Sequence, residues 1–211
     1  MLYKLLFKPI ADRCLAAIAL LFLWPIVFVV ALGIRLHLGR PVVFRQVRIG
    51  LLGEPFVFLK FRTMTDERDA AGTLLPDDRR LTGFGRFLRA GSLDELPQLW
   101  NVLKGEMSLI GPRPLLPEYL SRYSAVQRRR HEVMPGITGL AQVKGRNSLT
   151  WEDKFDLDVQ YVDSCNVGLD LRILLMTLIS VVRREGISQA GHATMPEFLG
   201  SSPSKQEGAR R

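Results

Sequence analysis

The stretch ALLFLWPIVFVV, residues 19–30, decides the architecture of this chain. It has the composition of a membrane segment, yet Pro25 stands near its middle. No charged residue falls between Cys14 and Ile34, and as a straight helix that run would reach about 30 Å, the thickness of a hydrocarbon core. Length alone permits a crossing. The flanks argue for a different path: Lys4, Lys8 and Arg13 precede the run and Arg35, His37 and Arg40 follow it, so both sides carry the basic signature of a cytoplasmic flank. Pro25 has no N–H for the Leu21 carbonyl and its ring collides there, so a bend is expected at Trp24-Pro25. These features predict a helix within residues 1–40 that enters a membrane and returns to the same face. Cleavage as a signal peptide, which the small-x-small triplet Ala31-Leu32-Gly33 would suit, is disfavoured because the run exceeds an ordinary signal-peptide core and holds a central proline.

Beyond Pro41 the pattern changes. VVFRQVRIG and PFVFLKFRTM are β-rich runs joined by a turn over residues 50–55, a hairpin whose second arm carries Lys60 and Arg62 on one face. Residues 66–80 read as a polar loop or short helix. The run LTGFGRFLRAGSLDELPQLWNVLKG gives two helical pieces broken near Gly91. GEMSLIGPRPLLP is a proline-punctuated loop, residues 117–133 a basic helix and 135–147 a glycine-rich connection. Residues 150–164 form a helix opened by Thr150, with Asp153 three residues on. LDLRILLMTLISVVRRE is a last amphipathic or buried helix, ahead of a polar tail.

The chain holds 29 Lys and Arg against 21 Asp and Glu, a net charge of +8. That excess favours an anionic partner, whether phosphate, nucleic acid or acidic lipid, without choosing among them. With 47% hydrophobic residues in 211, one packed domain plus a membrane element is the expected organisation. Cys14 and Cys165 have no metal-ligand spacing and imply no disulfide, which places the body in a reducing compartment.

Chemistry concentrates in RAGSLDELPQLWN. Ser92-Leu93-Asp94-Glu95 fits a capping box, Ser92 at the N-cap and Glu95 reaching back. It also fits a reactive pair: neighbours on a helix point about 100° apart, so one carboxylate can attack while the other positions. A carboxylate that approaches a phosphate needs cations, and Lys60, Arg62, Arg86, Arg89, Arg113 and Arg146 stand in loops and element ends. Arg113 is distinguished by Pro112 and Pro114, which hold it in a stiff loop. Asp156-Leu157-Asp158 resembles a short acidic metal motif but falls inside a helix whose apolar stripe is Phe155, Val159 and Val162, so it reads as a solvated face. Asp163 is at most a supporting polar group. There is no P-loop, dinucleotide fingerprint or two-histidine zinc helix, and His37, His131 and His192 are dispersed.

KFRTM, SLDELPQLWNVLKGEMSLIGPRPLLPEY, RRRHEVMPGITGLAQVKGRN and WEDKFDLDVQYV, in this order behind the apolar segment, resemble the monotopic phosphoglycosyl transferases, the bacterial sugar transferase family. The resemblance runs from about Phe7 to Ile187 and to the minimal form of the family, without the large added membrane domain of its longer members. It implies a membrane-associated α/β fold: a re-entrant helix over 1–40, a cytosolic, mainly helical catalytic domain over 41–190 with a small β-hairpin and interfacial amphipathic helices, and a polar tail over 191–211. The implied reaction transfers a phospho-sugar from a UDP-sugar to undecaprenyl phosphate and releases UMP, at the cytoplasmic face of a bacterial inner membrane and with Mg²⁺ as cofactor.

Carried onto this chain, the resemblance makes Asp94 the nucleophile and metal-facing carboxylate and Glu95 its partner in the dyad. It places Arg89 and Arg113 near the phosphates, with Lys60, Arg62 and Arg146 as further substrate contacts. No nucleic acid is implied. Where the family commonly has Ser-Pro at the bend, this chain has Trp24-Pro25. The tail GISQAGHATMPEF resembles members that act on UDP-N,N′-diacetylbacillosamine, although users of other sugars share the core motifs. Two rivals are a membrane-anchored scaffold that binds acidic lipid or nucleic acid through its basic face, and a transferase that works through a ternary complex without a covalent intermediate.

Overall fold

The computed structural model describes residues 2–145, 148–183 and 197–200. A π-helical turn, Tyr3–Phe7, leads into α1, Lys8–His37, which continues through Pro25. Gly39, at φ 79°, ends the helix by returning its N–H to the Ile34 carbonyl. One stripe of α1 packs on the body. Lys8, Asp12 and Ala16 are buried near its start and Val30 and Ile34 near its end, with Leu20, Leu23 and Val27 partly covered between them. Steps of three and four residues make that stripe. The remaining surface exposes Leu21, Phe22, Trp24, Phe28 and Val29. Among the described residues, the helix that includes α1 is the one long and apolar enough to cross a membrane.

The basic residues at the start of α1 are built into the fold, a role that their reading as flank charges leaves out. Lys8 Nζ lies 2.7 Å from Asp170 Oδ2 and 3.4 Å from Asp12 Oδ2. The Asp12 carboxylate accepts from Ser108 Oγ at 2.6 Å. Asp170 accepts the hydroxyls of Tyr3 at 2.6 Å and Tyr161 at 2.7 Å. Lys4 donates to the Val162 carbonyl. A buried ion pair is tolerated when its remaining lone pairs are satisfied in this way.

The hairpin forms as the alternation predicts. β1, Val43–Ile49, pairs antiparallel with β2, Pro55–Phe61, from Val43 opposite Phe61 to Ile49 opposite Pro55. The stretch expected as a loop or short helix holds α2, Asp77–Arg80. α3, Gly83–Ala90, follows and lies so close to the hairpin's exit that a Cβ on Gly85 would sit 1.9 Å from the Thr63 carbonyl oxygen. α4, Gln98–Lys104, is tied to β2 by Asn101, which accepts from the Leu59 N–H at 3.1 Å and donates to the Val57 carbonyl at 2.7 Å. β3, Ser108–Ile110, then enters the Pro112-Arg113-Pro114 loop.

Two expectations need correction. The basic stretch 117–133 is not one helix: it divides into a 3-10 segment, Pro117–Arg122, then α5, Ala125–Arg128, then a second 3-10 segment, Arg129–Glu132. Tyr123 is extended, and Ser124 with Gln127 forms a capping box that starts α5 afresh. The connection 135–147 likewise contains structure: β4, Gly136–Thr138, pairs parallel with β3, and α6, Leu140–Lys144, follows. Glycine permits this approach, since a Cβ on Gly136 would lie 2.1 Å from the Gly111 nitrogen.

α7, Trp151–Ser164, begins at Thr150 as expected, the threonine side chain accepting from the Asp153 N–H, and α8, Val167–Arg183, closes the body. Phe198, from the stretch expected as a polar tail, is buried among Tyr119, Tyr123 and Phe155.

Candidate active site

The chain leaves α3 through Gly91 and reaches Ser92 at φ 52°, ψ 20°, in the left-handed region, before a 3-10 turn, Leu93–Glu95. The capping-box reading of Ser92 and Glu95 therefore fails: Ser92 is not in a capping conformation and its side chain makes no cap bond. A left-handed non-glycine residue costs about 1–2 kcal/mol. It turns the chain so that the two carboxylates diverge. Asp94, 3% exposed, faces β2, where its Oδ2 lies 2.7 Å from Lys60 Nζ. Glu95 faces the proline-flanked loop, where its Oε1 accepts from Arg113 Nη2 at 2.7 Å.

These two ion pairs line a cleft of about 1010 Å³. Lys60, Arg62, Arg89, Asp94, Glu95 and Arg113 all line it, so most of the residues singled out in the sequence converge there. Glu95 holds the Arg113 guanidinium above its usual range, against burial. Arg89 is pushed down by burial, with Asp94 opposing, and donates from Nε to Thr63 Oγ1 at 3.1 Å. Arg62 also braces the end of α1, donating from Nη1 to the carbonyls of Leu38 at 3.2 Å and Arg40 at 2.9 Å and from Nη2 to Asp66 at 2.6 Å. Arg86 turns away to the Leu81 carbonyl, 3.0 Å off. Arg146 lies outside the described residues. The cleft is also lined by Ala19 and Leu23 of α1 and Thr177 and Val181 of α8.

The solvated-face reading of residues 156–158 holds for Asp156, which is exposed, and fails for Asp158, which is 3% exposed. Asp158 Oδ2 is 2.7 Å from Nη2 of the equally buried Arg130. Asp163 is exposed and pairs with Arg129. Four cleft cations escape the sequence reading, among them Arg80, which donates from Nε to the Thr65 carbonyl at 2.8 Å. Arg130 is the inward member of three consecutive arginines, and nothing in the run distinguishes it. Arg48 stands in a strand, where its alternation with Gln46 is the available signal. Lys154 lies 5.2 Å from the centroid of the Trp151 ring and is pushed down to about 8, by burial first and then by Arg113.

The bacterial sugar transferase family matches residues 3–184. The chain is similar to the uncharacterized sugar transferase EpsL of Bacillus subtilis, 58% identical over 176 residues, covering 83% of this chain and 87% of that protein. It is 40% identical over 191 residues to the UDP-glucose:undecaprenyl-phosphate glucose-1-phosphate transferase of Xanthomonas campestris pv. campestris, covering 85% of this chain but 40% of that protein. A protein of the same description from Caulobacter vibrioides is 41% identical over 186 residues, covering 83% of this chain and 69% of the relative. A match along most of the length, over the residues that build the cleft, shows that the chain belongs to the bacterial sugar transferase family.

Proposed function

We propose that this chain transfers a phospho-sugar from a UDP-sugar to undecaprenyl phosphate by way of a covalent intermediate on Asp94. The observation that carries the reading is the Asp94–Lys60 pair, its carboxylate buried, beside the Glu95–Arg113 pair in a cleft walled partly by the apolar helix α1. In the first step an Asp94 oxygen bonds to the β-phosphorus of the donor and the bond from that phosphorus to the bridging oxygen breaks, so UMP departs with the electron pair. In the second, a phosphate oxygen of the lipid bonds to the same phosphorus and the Asp94 carboxylate is released. Lys60 and Arg89 offset charge around Asp94, while Arg113, aligned by Glu95, holds a phosphate.

Mg²⁺ suits this donor set. No group of three or more candidate ligand side chains occurs among the described residues, but Mg²⁺ often takes only one or two carboxylates and fills its octahedron with water and substrate phosphate. Asp94 would hold it. The ion would supply charge neutralisation on the diphosphate.

The membrane reading is a monotopic one, on a cytoplasmic face. It is supported by the packing of α1: Lys8 and Asp12 near one end and Val30 and Ile34 near the other are buried against the same body, whereas a crossing would set about 30 Å of hydrocarbon between the flanks. Cysteines placed at Lys4 and Arg40 in a Cys14→Ser background are both expected to resist a membrane-impermeant thiol reagent in intact cells. Labelling at position 4 alone would mean that the helix spans.

For the donor we favour UDP-N,N′-diacetylbacillosamine on the strength of the tail motif, most of which lies outside the described residues, against the UDP-glucose in the names of the relatives. UMP release from each nucleotide sugar, with undecaprenyl phosphate in nanodiscs, decides between them. A scaffold that only binds acidic lipid would release none.

A further inference from the structure

Both carbonyls at the centre of the proline-flanked loop are held by arginines to which the mechanism assigns no step. Arg130 Nη2 donates to the Arg113 carbonyl at 2.6 Å, and Arg48 Nη1 donates to the Pro114 carbonyl at 3.3 Å. Each arginine is itself fixed from behind. Arg130 reaches Asp158 Oδ2 from Nε at 3.0 Å and from Nη2 at 2.7 Å, and its guanidinium lies over the rings of Tyr123 and Phe155 at 5.9 and 5.6 Å. Arg48 is anchored on Gln46 Oε1 from Nε at 3.0 Å and from Nη2 at 2.6 Å, and lies over Phe58 at 5.6 Å.

Like charges gathered round Arg113 are unfavourable: after burial, Arg113 is the next cause that pushes Arg48 down, to about 10, and the same holds for Lys154. A fold that needed only to close this loop could use neutral donors. Charged donors on two successive carbonyls give a stiffer grip, because charge-assisted bonds are shorter and stronger than neutral ones. With prolines at 112 and 114 fixing two φ angles and the carbonyls fixing the peptide planes, the direction of the Arg113 side chain is set before any ligand arrives.

We infer that Arg130 and Arg48 are positioning residues, a two-arginine cradle that holds Arg113 against Glu95 and aims it at a substrate phosphate. The inference rests on the proposed function for the identity of that phosphate, and on the geometry alone for the cradle. Because it acts through Arg113, its loss should matter only while Arg113 is present.

The test is a pair of double-mutant cycles. Arg130→Lys and Arg48→Lys, each keeping the charge while losing the fork, should lower kcat/KM for the nucleotide sugar by about 10- to 100-fold in the wild-type background. In an Arg113→Ala background the same changes should lower it by less than about twofold further. Equal losses in both backgrounds would overturn the inference. Arg130 is buried, so Arg48→Lys decides if Arg130→Lys does not fold.

A second readout does not depend on turnover. Hydrogen exchange at the amides of Gly111, Arg113, Leu115 and Leu116 should quicken in both variants, and in Arg48→Lys it should do so at unchanged melting temperature. Unchanged exchange there would overturn the cradle whatever the donor proves to be. Absence of UMP release by the wild-type enzyme would count against the functional reading instead.

Discussion

Two clusters of carboxylates and cations in this molecule use the same chemistry to different ends. At the foot of α1, Lys8, Asp12 and Asp170 are sealed: each is buried, and Ser108, Tyr3 and Tyr161 occupy further carboxylate bonds. In the cleft, Asp94 is equally buried but Lys60, Glu95 and Arg113 are partly exposed to a space of about 1010 Å³. The first cluster has both carboxylates bonded to Lys8 and to hydroxyls of the fold and so holds structure. The second holds excess cations around a carboxylate pair, an arrangement that an anionic ligand completes.

That contrast breaks if the sealed cluster proves catalytic or the open one structural. The largest stability effect belongs to the sealed side. Asp170→Ala leaves Lys8 buried against one remaining carboxylate and should cost about 3–5 kcal/mol in denaturant unfolding. Turnover per folded molecule should stay within about threefold of wild type, since no reacting group is touched. A variant that kept its stability and lost turnover would reverse the assignment.

The next effect is a pH dependence. His131 is buried, with Nδ1 3.0 Å from the Gly50 carbonyl oxygen, and burial pushes it down to about 4 from 6.5. Its folded-state pKa lies below the unfolded value, so the unfolded chain binds the extra proton first. Stability is full above about pH 6.5 and falls as the pH drops toward 4, by roughly 3 kcal/mol. His131→Gln should remove that part of the acid sensitivity. An unchanged acid slope in the variant would contradict the neutral, buried histidine.

On the open side, Arg113→Ala should lower kcat/KM for the nucleotide sugar at least about tenfold, the value of one charge-assisted bond to phosphate, while the melting temperature hardly moves. Wild-type kinetics would remove Arg113 from the site. The smallest effect is at Ser92. Ser92→Gly relieves the left-handed strain and should leave stability within about 1 kcal/mol of wild type or raise it. A larger loss would mean that the Ser92 side chain holds the turn.

Much of the fold is legible in the sequence where local rules govern it. Alternation sets the hairpin, Thr150 starts α7, and the helical break near Gly91 places Asp94 and Glu95 between two helices. Long-range pairing is not legible. Ser92 and Ser124 stand in comparable capping patterns, yet of the two Ser124 caps, while Ser92 lies in a left-handed turn ahead of Asp94, whose partner Lys60 is distant in the chain.

Asp158 lies beside Val159 of the apolar stripe of α7, but its partner, Arg130, is remote in sequence, so burial of the pair is a tertiary fact. Lys8 likewise reads as a flank charge until Asp170 is folded beside it. Those misreadings share a cause: a lone charge looks solvated when its counter-charge is distant in the chain.

A covalent phospho-sugar on Asp94 would be visible by mass before any lipid acceptor is added. The purified chain in nanodiscs, mixed with Mg²⁺ and each UDP-sugar but no lipid acceptor, is examined by intact mass. The expected result is an adduct of one phospho-sugar, mapped to the peptide carrying Asp94, absent in Asp94→Asn and discharged when undecaprenyl phosphate is added. Steady turnover with a nucleotide sugar that never yields an adduct, even with acceptor withheld, would contradict it and point to direct transfer through a ternary complex.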